Sequence, residues 1–101
     1  MSKYFVVKNQ VNIVTGVKQV NSNVINVNED GTENLFSDLS DHVEVEDYSP
    51  LLIGNKHNED GTFTAPGSDA LGNDRWFSFE TGNLMQYTYD ADGAITGEEE
   101  V

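Results

Sequence analysis

The chain contains no cysteine, so no disulfide staples its core and no thiolate is present as a nucleophile or metal ligand. It has five Lys and Arg among 101 residues, and no Asp or Glu before Glu29. No apolar stretch approaches the roughly 18 residues that a membrane-crossing helix needs. Polar Asn9, Gln10 and Asn12 interrupt the opening apolar run before a signal-peptide core is reached, so a soluble protein made without a cleaved leader is expected. Only two prolines are present, and alanine and other strong helix formers are scarce between the Val, Ile, Phe and Tyr positions.

What is present is acid. The formal net charge is −13, which repels phosphate backbones and anionic lipid and sets aside nucleic-acid or membrane binding through a basic surface. The charge is unevenly placed. Lys3, Lys8 and Lys18 give residues 1–28 a charge of +3, while 18 acids against Lys56 and Arg75 leave the remainder at −16. Such a division either serves solubility or sets a basic start against an acidic surface, its own or a neighbour's.

The size suits one domain with one modest core. β-branched and aromatic residues separated by Asn, Asp, Gly, Ser and Thr predict short strands and many turns. Tyr4–Val7 is a run short enough for a strand buried on both faces. Val11, Ile13, Val14, Val17 and Val20 continue a hairpin that turns at Asn9-Gln10 or at Thr15-Gly16. Val24–Val27 and Val43–Val45 read as strands, and Leu51–Ile53 as another. Leu35, Phe36 and Leu39 have the spacing of a helical face with Thr32 as N-cap, which predicts one short helix near residues 33–39.

Asn-Glu-Asp-Gly-Thr occurs at 28–32 and again at 58–62, with Asp90-Ala91-Asp92-Gly93 a looser relative. One turn chemistry used more than once explains this, since Asp bonds nearby backbone and Gly supplies positive φ. A long loop, 65–74, leads to a C-terminal hairpin over 75–89 with a two-residue turn at Gly82-Asn83, which places Trp76 with Met85, Tyr87 and Tyr89 on one face and Phe77 and Phe79 on the other. The expected fold is mainly β: a small antiparallel sandwich or barrel-like domain over 1–97, built from hairpins, followed by an acidic tail at 98–101, with the chain expected to fray from Gly97 onward.

Chemistry-bearing patterns are sparse. His42 and His57 sit among turn residues and read as surface histidines, and no Gly-x-Ser-x-Gly elbow is present. Asn26, Asn28, Asp30 and Gly31 match the start of a calcium loop, but the position reserved for a bidentate Glu is Ser37. No phosphate-binding glycine motif occurs. Neither catalytic, cofactor-binding nor metal-ligating residues are assigned, and no enzymatic activity is expected. The aromatics Trp76, Tyr87 and Tyr89, with Val11, Ile13, Val17 and Val20 of the Val-rich strand, are the candidate partner-binding residues.

Two stretches carry a resemblance. Tyr4-Phe5-Val6-Val7-Lys8-Asn9-Gln10-Val11-Asn12-Ile13-Val14 resembles the first hairpin of small bacteriophage tail and tail-fibre-associated proteins. Ile53–Pro66 is similar to their Gly, aromatic, Asp/Gly turn and Phe-x-x-Pro ending, with His57 where a tyrosine is usual. The resemblance implies a non-enzymatic virion component, in a tail, fibre or adaptor, made in the host cytoplasm and working as a homo-oligomer or against a larger virion protein. Tyr87–Thr96 is similar to one unit of the tyrosine-aspartate repeats of large secreted shells, here without a stacking neighbour. Two other classes remain open: an acidic DNA mimic using Glu44, Glu46, Asp47 and Asp60, and a calcium-dependent β module.

Overall fold

The computed structural model describes residues 2–101; Met1, the first residue of the expected domain, lies outside them. Ten strands follow one another: β1 (Lys3–Lys8), β2 (Val14–Val20), β3 (Val24–Val27), β4 (Glu33–Leu35), β5 (His42–Val45), β6 (Lys56–His57), β7 (Phe63–Thr64), β8 (Trp76–Phe77), β9 (Leu84–Tyr89) and β10 (Ile95–Glu100). They form four small antiparallel sheets, ordered β2-β1-β5, β3-β4, β6-β7 and β8-β9-β10. The chain is therefore mainly β and built from hairpins, as its composition implies. Its sheets are strung along one axis instead of closing face to face, giving extents of 66 × 24 × 21 Å. A radius of gyration of 17.7 Å against about 13 Å for a compact chain of this length expresses the same elongation.

The N-terminal sheet holds most of the core. In β1, Phe5 and Val6 are adjacent and so point to opposite faces, and both are completely buried. Phe5 lies opposite Lys18 and Glu44, and its ring packs 5.5 Å from Phe36 and 6.2 Å from His42. Val6 lies opposite Val17 and Val43 on the other face. Ile13, Val14 and Phe77 complete the buried apolar set among the described residues. So small a core leaves 6763 Å² accessible, about 1,000 Å² above the roughly 5,700 Å² usual for a monomer of this mass.

The hairpins share a turn. At 28–32 the Asn28 N–H donates to Thr32 O (2.8 Å) and the Gly31 N–H to Asn28 O (3.0 Å), and the same pair recurs from Asn58 and Gly61 at the same lengths. In both copies the Asp at the third position accepts from the Thr N–H (3.0 Å) and the Thr hydroxyl (2.6 Å). The glycines have φ of +88° in both, which a Cβ would strain. The turns 9–13, 69–73 and 90–94 have the same backbone bonding, but there Asn9, Asp69 and Asp90 at the first position accept from the N–H groups two and four residues on. At 9–13 the left-handed residue is Asn12 (φ +67°), so the first hairpin turns at Asn9-Gln10, and Thr15-Gly16 lies inside β2.

Four local expectations are corrected. Residues 33–39 do not form a helix: Glu33 pairs back with Val27, Asn34 Nδ2 donates to Asn26 and Asn28, and Phe36 N–H continues the ladder to Asn23 O, leaving one 3-10 turn at Phe36–Asp38. Thr32 is committed to its turn and caps nothing. Leu51–Ile53 is not a strand, because Pro50 opens a second 3-10 turn, Pro50–Leu52. The β8–β9 hairpin turns through the wider loop 78–83, where the Ser78 hydroxyl accepts from the Glu80 and Thr81 N–H groups and Gly82 N–H donates to Ser78 O. The acidic tail is not loose, since Glu98, Glu99 and Glu100 pair with Tyr87, Gln86 and Met85 within β10.

Candidate interaction surface

The C-terminal sheet carries the aromatic face. Trp76 lies opposite Met85, and alternation along β9 sets Tyr87 and Tyr89 on that same face, as the hairpin pattern implies despite the wider loop. The Trp76 and Tyr87 rings tilt against each other at 4.8 Å. Across the sheet, Ile95 opposes Tyr89, Glu98 opposes Tyr87 and Glu100 opposes Met85, so an apolar strip is bordered by carboxylates. Ile95 and the nearby Leu71 are more than half exposed. On the opposite face, Arg75 Nε donates to Gln86 Oε1 (3.1 Å) and Gln86 Nε2 to Glu99 Oε1 (2.9 Å), a polar row from the residue before β8 across β9 to β10.

Tyr89 ties the long loop to this sheet. Its hydroxyl donates to Asp69 Oδ2 (2.5 Å) and accepts from Asn73 Nδ2 (2.7 Å), and a groove of about 300 Å³ opens beside Asp69, Leu71, Arg75, Gln86, Tyr87 and Tyr89. The Tyr89 hydroxyl bond, with the N–H groups of Asn73 and Leu71 behind it, holds the Asp69 carboxyl below its ordinary value, and the same bond raises the Tyr89 hydroxyl. A depressed carboxyl contributes stability above the unfolded value of about 3.8 that is lost as pH falls through the folded one. Tyr89→Phe is accordingly expected to move the Asp69 pKa upward and flatten the acid dependence of stability below about pH 4, read by carboxyl NMR titration. An unmoved Asp69 titration would show that the backbone donors alone set it.

The N-terminal candidates divide. Ile13 is completely buried within the protomer, bridged to Lys56, and is a core residue, not a contact surface. Val11 is half-buried where the 9–13 turn meets Gly82. Val17 and Val20 are half-buried on β2, opposite Val6 and Lys3. No single surface therefore unites the aromatics with the Val-rich strand.

His42 is not a surface residue. Its side chain is 8% exposed, stacked on Phe36 at 5.7 Å, with Nδ1 2.7 Å from Asp41 Oδ1. Nε2 is buried without a hydrogen-bond partner among the described residues. His57 lies 5.3 Å from the Phe63 ring, and burial holds its pKa below the usual value, with Lys8 adding to the shift and Asp60 opposing it. In the calcium-loop frame, Asn26 Oδ1, Asn28 Oδ1 and Asp30 Oδ1 accept hairpin bonds from Asn34 and Thr32. Among the described residues no three His, Asp or Glu side chains converge as metal ligands, and no helix is long and apolar enough to cross a membrane.

Sequence reasoning missed the contact that joins the two main sheets. The loop 78–83 meets the turn 9–13: Asn9 Nδ2 donates to Phe79 O (3.0 Å), and Lys56 Nζ donates to Gly82 O (3.1 Å). Asn9 followed three residues later by Asn12 was the available signal for that turn, and it matches Asp69-Ala70-Leu71-Gly72. These features describe an antiparallel hairpin rod with an aromatic face near its C-terminal sheet. Compared with known proteins, the chain matches no family model, no curated protein and no solved structure.

Proposed function

We propose that this is a non-enzymatic structural or interaction protein that works by packing against copies of itself or a larger protein, as a tail, fibre or adaptor component of a bacteriophage virion. The observation that carries the packing role is the surface: an elongated chain with about 1,000 Å² more exposed area than a compact monomer needs. That is on the scale of the roughly 800 Å² each partner contributes to a standard interface. The virion setting is supported by the resemblance of the opening hairpin and of Ile53–Pro66 to tail proteins.

The aromatic face is the first place to test it. Trp76→Ala removes a large ring whose contact with Tyr87 shapes the strip, and an interface anchor of this kind is worth about 2 kcal/mol or more, roughly 30-fold in affinity. Light scattering over a concentration series is expected to show weaker assembly with an unchanged circular dichroism spectrum. Equal assembly by an intact variant would remove this face from the interface.

A DNA mimic is the second reading, favoured by the narrow rod. Its charge is thin for mimicry, since 13 net negative charges over 66 Å is one per about 5 Å, against one per about 1.7 Å in duplex DNA. Glu44 is also paired with Lys3 at 3.8 Å.

A further inference from the structure

We infer that the outer edge of β10 pairs with the outer edge of β2 in a second copy, joining the chains head to tail. This deepens the packing role proposed above and rests on it. Ile95–Glu100 makes backbone hydrogen bonds only toward β9, and Thr15–Val20 only toward β1, among the described residues. Among the described residues these are the longest edges without a paired strand, six residues of β10 and seven of β2; Gly54 and Asn55 cover the first residue of β2, and the 3-10 turn Pro50–Leu52 packs beside that strand. An unpaired edge is a template for another strand unless something blocks it.

Charge selects which edges meet. β10 presents Glu98, Glu99 and Glu100 in succession, all exposed, so two β10 edges set side by side bring like charges opposite one another. That run blocks β10 from itself but not from a basic strand. β2 carries Lys18 and no acid; on its neighbour β1, Lys3 is paired with Glu44 of β5 at 3.8 Å and Lys8 donates to Asn12. The Lys18 ammonium lies 5.2 Å from the Phe36 ring centre, on the sheet face where Phe36 packs against Phe5. The two edges belong to different sheets, so the contact is heterologous, and repeating it lengthens a filament unless the rotation happens to close a ring.

The test reverses each edge separately. Lys18→Glu makes the β2 edge acidic. Glu98→Lys with Glu100→Lys makes the β10 edge basic and keeps the Glu99–Gln86 bond. Sedimentation velocity on the wild-type chain at low salt is expected to show species growing beyond two copies with concentration, weakened in about 1 M salt, where the Debye length is about 3 Å. Each variant alone should associate at least tenfold more weakly. An equimolar mixture should recover assembly, because the acidic β2 of one then faces the basic β10 of the other; this recovery also shows that both variants are folded.

Variants that assemble like the wild type would overturn the edge assignment and leave self-packing intact. A wild-type series that stops at a dimer would overturn it in favour of an isologous contact, and folded variants whose mixture stays monomeric would overturn the pairing of these two edges. A wild-type chain that remains monomeric throughout would overturn the inference together with self-packing itself.

Discussion

Phe5→Ala is expected to remove most of the chain's stability at 25 °C and to bring its urea midpoint close to zero denaturant. The ring is completely buried and packs against both members of the stacked Phe36–His42 pair, on one face of the central strand of its sheet. Deleting a buried phenylalanine side chain costs about 3–5 kcal/mol, part lost transfer energy and part cavity. Domains of this size are stable by about 5–15 kcal/mol, and a chain with five buried apolar side chains and an extended surface belongs at the low end. The substitution therefore consumes most of what holds the fold. Leu51→Ala is the matched control: it removes an apolar side chain that is 87% exposed and is expected to change stability by no more than about 0.5 kcal/mol. Urea titrations followed by far-ultraviolet circular dichroism separate the two. A Phe5→Ala midpoint close to that of the wild type would mean that the hairpin turns, not the N-terminal core, carry the stability.

The readable part of this fold was the part governed by local chemistry. Asn-Glu-Asp-Gly-Thr forms the same turn at 28–32 and 58–62 because every bond that defines it lies within those five residues. Tyr4–Val7 was readable as a strand covered on both faces because it lacks alternation, and Phe5 and Val6 are buried on opposite sides. Residues 33–39 misled because apolar spacing is shared by one helical turn and by a strand entering a 3-10 turn; the partners that decided it, Asn23 and Val27, lie on the preceding strand. The pairing of β5 with β1 was hidden for the same reason. Val43 opposite Val6 is a contact between distant segments, and nothing in either strand specifies the other.

The candidate surface was half readable. Alternation along β9 placed Tyr87 and Tyr89 with Trp76, and an even register kept them together although the loop is wider than a two-residue turn. Val11, Ile13, Val17 and Val20 look alike in the chain, yet one is core, one fills a junction and two lie half-buried on a strand with a free edge. Burial is settled by what the 78–83 loop and the Gly54-Asn55 segment cover, and those contacts are nonlocal.

Gly82 is where that nonlocal packing is most exposed to a single substitution. It is buried, has φ of +75°, and a Cβ built there would stand 3.0 Å from Val11 Cβ and 3.1 Å from Val11 O. Gly31 has a comparable φ, +88°, but open space where its Cβ would be. The two glycines thus separate backbone strain from crowding. Gly31→Ala is expected to cost about 1–2 kcal/mol for the left-handed backbone alone. Gly82→Ala should cost that plus about 1–3 kcal/mol of overpacking, because one of the crowding atoms is a backbone carbonyl that moves only with its turn. The extra loss should be local in origin. Val11, the Asn9 amide and the Lys56 ammonium all meet the 78–83 loop here, so forcing it outward loosens the C-terminal sheet from the N-terminal one before either sheet melts. Amide hydrogen exchange is then expected to accelerate around 9–13 and 78–83 while the β1–β2 ladder stays protected. Equal losses for the two alanine variants, with no acceleration at the junction, would show that Val11 gives way and that the two sheets are held in line by something other than this contact.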